Sequence, residues 1–159
     1  MMNSSLVLFV ALGIGLVTGL RSMTGPALVC WAAHLGWLEL DGTRLGFMES
    51  TVATYGFSAL ALGELIADKL PFIPNRTAPG PLFGRLVLGA LSGAALCIAV
   101  GRSASAGAIL GGAGGVIGAF AGYRARASLV KKLRWPDWVI ALLEDIVAIG
   151  GGLFLVSRF

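Results

Sequence analysis

Four acidic side chains interrupt apolar segments of this chain, and a charge in such a segment has to be explained. Glu64 and Asp68 are four residues apart, so they share one face of a helix, and Glu144 and Asp145 are neighbours in a second apolar segment. A charged side chain at the centre of a membrane helix costs about 3 kcal/mol on insertion scales, so such groups face a protein interior, a water-filled cavity or a partner charge. We therefore expect these acids to meet basic residues at a similar depth.

The basic partners that we expect for these acids are Lys69, Arg85 and Arg124. Together the acids and bases predict a polar site in the cytoplasmic half of a helix bundle, and two roles for it remain open. In one role the site binds a small anionic solute, an ion or a lipid headgroup. In the other role the opposite charges only neutralise one another and hold the bundle together.

Arg21 is a further candidate, which we expect at the other end of the bundle. It follows a Gly-x-x-x-Gly helix and precedes Ser-Met-Thr-Gly-Pro, so the helix ends with hydroxyl groups and a broken backbone near a cation. Broken helices at membrane depth are tolerated only where protein or a water-filled cavity satisfies the freed backbone groups. This arrangement suits contact with an anion or phosphate, and an arginine that reaches the outer interface is the alternative interpretation.

Enzyme chemistry finds little support in the sequence. The single histidine, His34, lies between Trp31 and Trp37, and no Ser-His-Asp, Cys-His, His-x-x-x-His or phosphate-loop pattern occurs. Cys30 and Cys97 are far apart in apolar segments, where we interpret them as small buried hydrophobes. We expect no metal and no cofactor, and a net charge of +4 requires no nucleic-acid partner.

The elements that must position the charged residues are membrane helices. The chain is 57% hydrophobic and 13% charged with a mean hydropathy of +0.87, which leaves too little polar surface for a soluble globule. We predict an all-α membrane protein that forms one polytopic domain, residues 1–159. A bundle of about five transmembrane helices is predicted from five apolar segments of near-spanning length, namely 5–21, 50–70, 82–101, 104–122 and 138–156.

A sixth apolar segment, residues 26–40, is short for a crossing and contains two tryptophans and the histidine. This composition favours an additional interfacial or re-entrant helix, although a full crossing stays open. The first span is expected to remain uncleaved, because no basic residue precedes its apolar core and no small-residue cleavage site precedes Arg21.

A glycine-rich packing face is the second pattern in the sequence. Glycines in water cost a helix about 1 kcal/mol each relative to alanine, whereas in lipid they allow helices to approach closely. We expect a glycine zipper and a homo-oligomer. The glycines assigned to helix packing are Gly15, Gly19, Gly107, Gly111, Gly115, Gly118 and Gly122.

The basic residues predict an orientation. The loops after the second and fourth predicted spans are both basic, whereas the opposite side is close to charge balance. The positive-inside rule then places the N-terminus in the cytoplasm and, after five crossings, the C-terminus outside. The basic run at 124–135 is expected to be a cytoplasmic anchor in contact with anionic lipid.

Two short segments resemble each other and hint at a weak internal repeat. Residues 14–21 read IGLVTGLR and residues 117–124 read IGAFAGYR. Duplication of 5–70 as 104–156 would produce this match, and with five spans the two halves would be inverted. A chance match in a chain rich in glycine and alanine is the alternative.

Residues 63–95, together with the early GLRSMTGPALV, carry a resemblance to a known family. Gly19–Arg21 and the Ala-Asp-Lys-Leu-Pro element at 67–71 resemble small bacterial integral membrane proteins described as a domain of unknown function. The resemblance implies a bacterial inner (cytoplasmic) membrane location, and it brings no activity with it.

Two functions therefore remain as hypotheses. The leading one is a small transporter, channel or lipid-handling protein whose charged site takes a small anionic solute or a lipid headgroup. The alternative is a non-catalytic scaffold that packs with itself or a partner through its glycine faces. Both hypotheses expect membrane lipids around the chain.

Overall fold

The computed structural model describes residues 4–67 and 77–159, and this part of the chain is helical without strands. A short 3₁₀ helix lies at Gly46–Glu49. The α-helices of the described ranges are α1 (Ser4–Leu20), α2 (Thr24–His34), α3 (Thr51–Ala67), α4 (Pro79–Ala99), α5 (Ala104–Leu133) and α6 (Asp137–Val156). The all-α prediction is confirmed.

Local chemistry explains several of the helix boundaries. α4 begins with proline at its first turn, where the missing N–H group has no intrahelical partner to lose. The Ser103 hydroxyl accepts a hydrogen bond from the Ala106 N–H at 3.4 Å and caps α5. α5 ends at Arg134, whose φ of 54° is left-handed, and Pro136 then precedes α6.

The centre of the bundle is formed by α1, α4 and α5, with α5 between the other two. A Cβ atom on Gly89 of α4 would lie 2.5 Å from the Gly111 carbonyl oxygen of α5, and one on Gly15 of α1 would collide with the same carbonyl group. The backbones are therefore in direct contact, as small residues permit in membrane bundles. We call α1, α4 and α5 the glycine-packed unit.

The direction of the helices differs from the expected inverted repeat. Gly15 lies against Gly111, and Gly19 lies against Gly115, so α1 and α5 run parallel. In α4 the order is reversed, since Gly89 meets Gly111 and Gly93 meets Gly107. The inverted orientation was wrong because the chain makes an additional return before α3, and the repeat itself stays a prediction.

That return is made by α2 and residues 35–50. α2 runs back along α1, with Gly25 beside Thr18, and is almost entirely buried in protein. Leu38, Leu40 and Met48 then fill the interior with exposures of 0–1%. Burial of this kind favours the re-entrant alternative for 26–40 over a helix that lies on the membrane surface.

α3 packs mainly on α2 and on the 3₁₀ helix. The Trp31 Nε1–H donates to the Ser58 hydroxyl at 2.9 Å, and the Trp31 and Tyr55 rings meet edge to face. Thr54 is the buried residue of α3. Most of this helix is therefore exposed on the side of the bundle.

Three described helices, α4, α5 and α6, are long and apolar enough to cross a membrane, which is fewer than the five that we predicted. The apolar parts of α1 and α3, Ser5–Leu20 and Thr51–Ala67, are shorter. At 1.5 Å per residue each covers about 25 Å, which is less than the ~30 Å hydrocarbon core of a typical bilayer. The predicted span 5–21 runs one residue past the end of α1, and residues 68–70 of the predicted span 50–70 lie outside the described residues.

The end of α6 and the described beginning of α1 lie at the same end of the bundle. Phe159 packs against the cluster that contains Val7 and Ala11 near the beginning of α1. Five crossings would have placed the beginning of α1 and the end of α6 on opposite sides of the membrane. The return made by 24–50 adds one change of direction, which brings them to the same end of the bundle. We call the end of the bundle where α1 and α5 finish the charged end, and the end that holds Phe159 the opposite end.

Candidate functional site

The charged end is built around a break in the backbone between α1 and α2. The Arg21 N–H still donates to the Val17 carbonyl group at 2.9 Å, and α2 begins at Thr24. Between them, the N–H groups of Ser22 and Met23 donate to a side chain of α3. Backbone N–H groups freed in this way before a helix attract an anion.

The Glu64 carboxylate of α3 occupies this break. One oxygen accepts hydrogen bonds from the Ser22 N–H and the Ser22 hydroxyl, both at 2.8 Å, and the other accepts from the Met23 N–H at 2.8 Å. The Glu64 side chain is 13% exposed. α3 is thus joined to the break through one carboxylate.

Arg85 of α4 completes the surroundings of Glu64. Its Nη2 atom lies 3.5 Å from a Glu64 oxygen, and its Nε–H donates to the Gly19 carbonyl group at 3.0 Å. Its Nη1 donates to the Pro81 carbonyl group at 3.3 Å. The residue is 4% exposed, so this guanidinium satisfies the end of α1 while it faces the carboxylate.

A second buried ion pair lies beside the break. The Arg21 Nη2 atom is 2.6 Å from an Asp145 oxygen of α6, and the Arg21 side chain is fully buried. Removal of one partner of such a pair strands a charge inside the protein. Arg21 and Asp145 therefore couple α1 to α6.

Arg126 of α5 forms the third group of charges. Its guanidinium donates to both Asp137 oxygens, at 2.8 and 2.5 Å, and lies 3.9 Å from a Glu144 oxygen. Asp137 is 61% exposed at its side chain, so this group is more open to solvent than the other two.

The structure brings together Arg21, Glu64, Arg85 and Asp145 at the charged end, and Glu144 lies near them through Arg126. The expectation that Arg21 lies at the other end was wrong, because α1 and α3 finish at the same end. Asp68 and Lys69 fall outside the described residues. Arg124 is exposed, and within the described ranges the salt bridges show Arg126 next to Glu144 instead.

The sequence argument missed Arg126 and the hydrogen bonds that Ser22 and Met23 donate to Glu64. Arg126 could have been found from the sequence. It lies two residues from Arg124 and therefore on nearly the opposite face of the helix, so only one of the two arginines can face the acids of α6. The Ser22 hydroxyl was indicated by the Ser-Met-Thr-Gly-Pro segment after Arg21, whereas the N–H groups of Ser22 and Met23 left no mark in the sequence. Their role follows from the helix break, which the Gly-Pro pair after it indicated.

The assigned glycines lie at helix crossings within this one chain. Cβ atoms on Gly114 and Gly118 of α5 would collide with the carbonyl oxygens of Leu12 and Leu16 in α1, and one on Gly115 with that of Arg85 in α4. Gly122 is buried. The glycine faces thus contact other helices of the same molecule, and a zipper between molecules stays a prediction.

The opposite end has its own carboxylate in contact with backbone. Glu49 accepts a hydrogen bond from the Leu40 N–H at 2.5 Å, and the Glu49 carbonyl oxygen lies 3.0 Å from the His34 Nδ1 atom. His34 and Glu49 border an open pocket that also includes Glu39 and Asp41. Among the residues that the structure describes, no arginine lines this pocket, in contrast to the charged end.

The fold and the charged end are those of an all-helical protein with membrane-compatible helices. The chain belongs to the family described as Domain of unknown function (DUF4126), whose model matches residues 8–157. This match confirms the resemblance seen in the sequence. Neither the curated proteins nor the solved structures contain a match to the chain.

Proposed function

We propose that this chain is a bacterial inner-membrane transporter for small carboxylate anions, and that the break between α1 and α2 is its binding site. The observation that carries the proposal is the environment of Glu64. A carboxylate already sits on two backbone N–H groups, a hydroxyl and a guanidinium, which is the donor set that an anionic substrate would need.

Discontinuous helices support this assignment. In many transporters the N-terminus of a half-helix points at the anionic group of the substrate, near the interface of two structural units. Here α2 begins at the break, and the buried Arg21 and Arg85 add positive charge on either side of it. A substrate carboxylate would displace Glu64 and take over its donors.

The packing of α3 would allow its last turns to move when a substrate replaces Glu64. α3 lies mainly on α2, and Glu64 joins its last turns to the break and to Arg85. Displacement of Glu64 would release that end of α3 while the glycine-packed unit stays in place. The scaffold alternative gains less support, because the assigned glycines are covered by helices of the same chain.

The exchange is tested by chemical rescue in the purified protein. We expect Glu64→Ala to lower the melting temperature in detergent, and formate or acetate to restore part of the loss, because the small anion refills the vacated donors. Chloride at the same ionic strength should restore less. Glu49→Ala is the matched control, since Glu49 also accepts a backbone N–H but has no arginine beside it in its pocket.

Transport itself is measured as uptake of radiolabelled lactate and succinate into vesicles that contain the protein. Uptake above that of empty vesicles, reduced at least about ten-fold by Arg85→Gln, is the expected result. Rescue without uptake would contradict the transporter and leave a carboxylate-binding protein. Equal responses of Glu64→Ala and Glu49→Ala to acetate, with no uptake, would refute the site as well.

The proposal includes an orientation. The charged end carries the basic residues in the last turns of α5, so the positive-inside rule places it in the cytoplasm and both described chain ends outside. This reverses the earlier expectation for the N-terminus. In a Cys30→Ser/Cys97→Ser background, single cysteines near Gly42 and Ser5 should react with an impermeant thiol reagent in intact cells, and one near Lys132 should not. Labelling near Lys132 but not near Gly42 would refute this orientation.

A further inference from the structure

The last part of α5 extends beyond the helix that follows it. Arg126 pairs with Asp137, the first residue of α6, so these two residues lie at the same height. α5 continues to Leu133, and seven further residues at 1.5 Å each add about 10 Å. This extension carries Lys131 and Lys132, and it projects from the charged end.

The last ten residues of α5, 124–133, carry basic residues on one side of the helix and apolar residues on the other. At 3.6 residues per turn, Arg124, Ser128, Lys131 and Lys132 fall within an arc of about 100°. All four are exposed. We call these four residues the basic stripe.

The other side of the extension is different. Leu129 and Leu133, which are 40% and 44% exposed, fall on the same side of the helix as Arg126. Arg126 is held by Asp137 and Glu144 in α6, and that contact fixes the rotation of α5. The basic stripe therefore faces away from α6, and α5 has no acidic residue that could neutralise it.

Aromatic residues mark the level of the membrane interface at this end. Trp135 and Trp138 are 48% and 58% exposed, and Tyr123 is 42% exposed just before the stripe begins. Tryptophan and tyrosine collect at the headgroup level of membrane proteins. With the interface at the level of these three residues, the basic stripe would begin among the headgroups of the adjacent leaflet.

We propose that the basic stripe binds the headgroups of anionic phospholipids. The charge, the exposure and the level of the stripe fit a negatively charged leaflet, in which each nearby Lys or Arg contributes about 1 kcal/mol, or roughly five-fold in affinity. This surface is separate from the break, and it does not depend on the proposed transport.

The test uses the full chain in neutral detergent, with bound lipids counted by native mass spectrometry. Phosphatidylglycerol should be retained in preference to phosphatidylcholine. The variant Arg124→Gln/Lys131→Gln/Lys132→Gln should lose most of that preference, about five-fold for each charge removed. Its melting temperature should stay close to that of the native chain, because the three side chains are exposed.

The matched control removes three exposed charges at the opposite end, as Arg44→Gln/Arg102→Gln/Arg158→Gln. We expect this variant to keep the preference for phosphatidylglycerol. An equal loss in both triple variants would overturn the proposal, since overall charge would then explain the binding. Stronger binding of a poly-glutamate peptide than of phosphatidylglycerol would overturn it in favour of an acidic protein partner.

A second set of variants keeps the test decisive if the triple variant does not fold. Lys132→Gln alone should weaken the preference about five-fold, and Lys132→Arg should retain it. Arg158→Gln alone should leave the preference unchanged, because Arg158 is exposed at the opposite end. A preference that Lys132→Gln leaves intact and Arg158→Gln abolishes would contradict the assignment of the stripe.

Discussion

The glycine-packed unit and the helices around it are held together by different means. In α1, α4 and α5 the backbones touch, and a single added carbon atom at several glycines would collide with a carbonyl group. α3 and α6 instead pack through their side chains, and at the charged end Glu64 and Asp145 join them to Arg85 and Arg21. Helices whose backbones touch cannot shift without a collision, whereas the Glu64 carboxylate on its N–H groups can be exchanged for another anion.

The glycine-packed unit should therefore keep its arrangement, whereas the helices around it can change their contacts at the charged end. Interiors that are packed closely respond sharply to any added volume. The carboxylate that anchors the end of α3 to the break responds instead to charge and to competing anions. Substitutions at the packed glycines should therefore cost more stability than substitutions at the charged end. Only the latter should depend on the salt or the anions in solution.

The largest effect is expected from Gly111→Leu. Both Gly15 and Gly89 lie against the Gly111 backbone, so the side chain would separate α5 from its neighbours and cost at least about 3 kcal/mol, or prevent folding. Thermal unfolding in detergent is the measurement. Gly150→Leu is the control, because a Cβ atom there meets open space. Similar melting temperatures for both variants would show that close packing does not stabilise the unit.

Asp145→Asn should have the next largest effect. It leaves the fully buried Arg21 without its anionic partner, at a cost of about 3–5 kcal/mol. Replacement of both residues, as Arg21→Met/Asp145→Leu, should cost less than the single change, since no charge remains buried. A double variant that is less stable than Asp145→Asn would argue against this pairing as the main role of Asp145.

Glu64→Gln should be intermediate, because glutamine keeps the shape and loses the charge beside Arg85. We expect a loss of about 1–3 kcal/mol from the hydrogen bonds to a charged group. Glu144→Gln should cost less than Glu64→Gln, since Arg126 retains Asp137. The reverse order in a comparison of melting temperatures would show that the Arg126 group, and not the break, holds the charged end together.

The smallest effect is expected from Asp137→Asn. The Asp137 side chain is 61% exposed, and exposed ion pairs contribute about 0.2–1 kcal/mol. The loss should shrink further in 1 M salt, which screens exposed charges but not the buried pairs. Equal salt dependence of Asp137→Asn and Asp145→Asn would contradict the distinction between exposed and buried pairs.

Composition and glycine spacing were enough to predict an all-helical chain and the helices at 104–122 and 138–156. The charged residues also indicated a polar cluster, since Glu64 and Arg85 do meet. The partners of Arg21 could not be deduced, because they depend on which way α1 runs relative to α6. That direction is set by residues 35–50, whose buried Leu38 and Leu40 gave no helical or strand pattern to recognise.

The parallel contact of α1 with α5 has a consequence for biosynthesis. α4 and α5 are consecutive antiparallel helices, so their glycines can meet as soon as the short turn between them is made. α1 emerges earlier from the ribosome, but its glycine side has no partner until most of α5 has been synthesised. Contacts between segments so distant in sequence form late. α1 can pack on α2 and on α4 before then, so the contact between α1 and α5 is the last one that completes the glycine-packed unit.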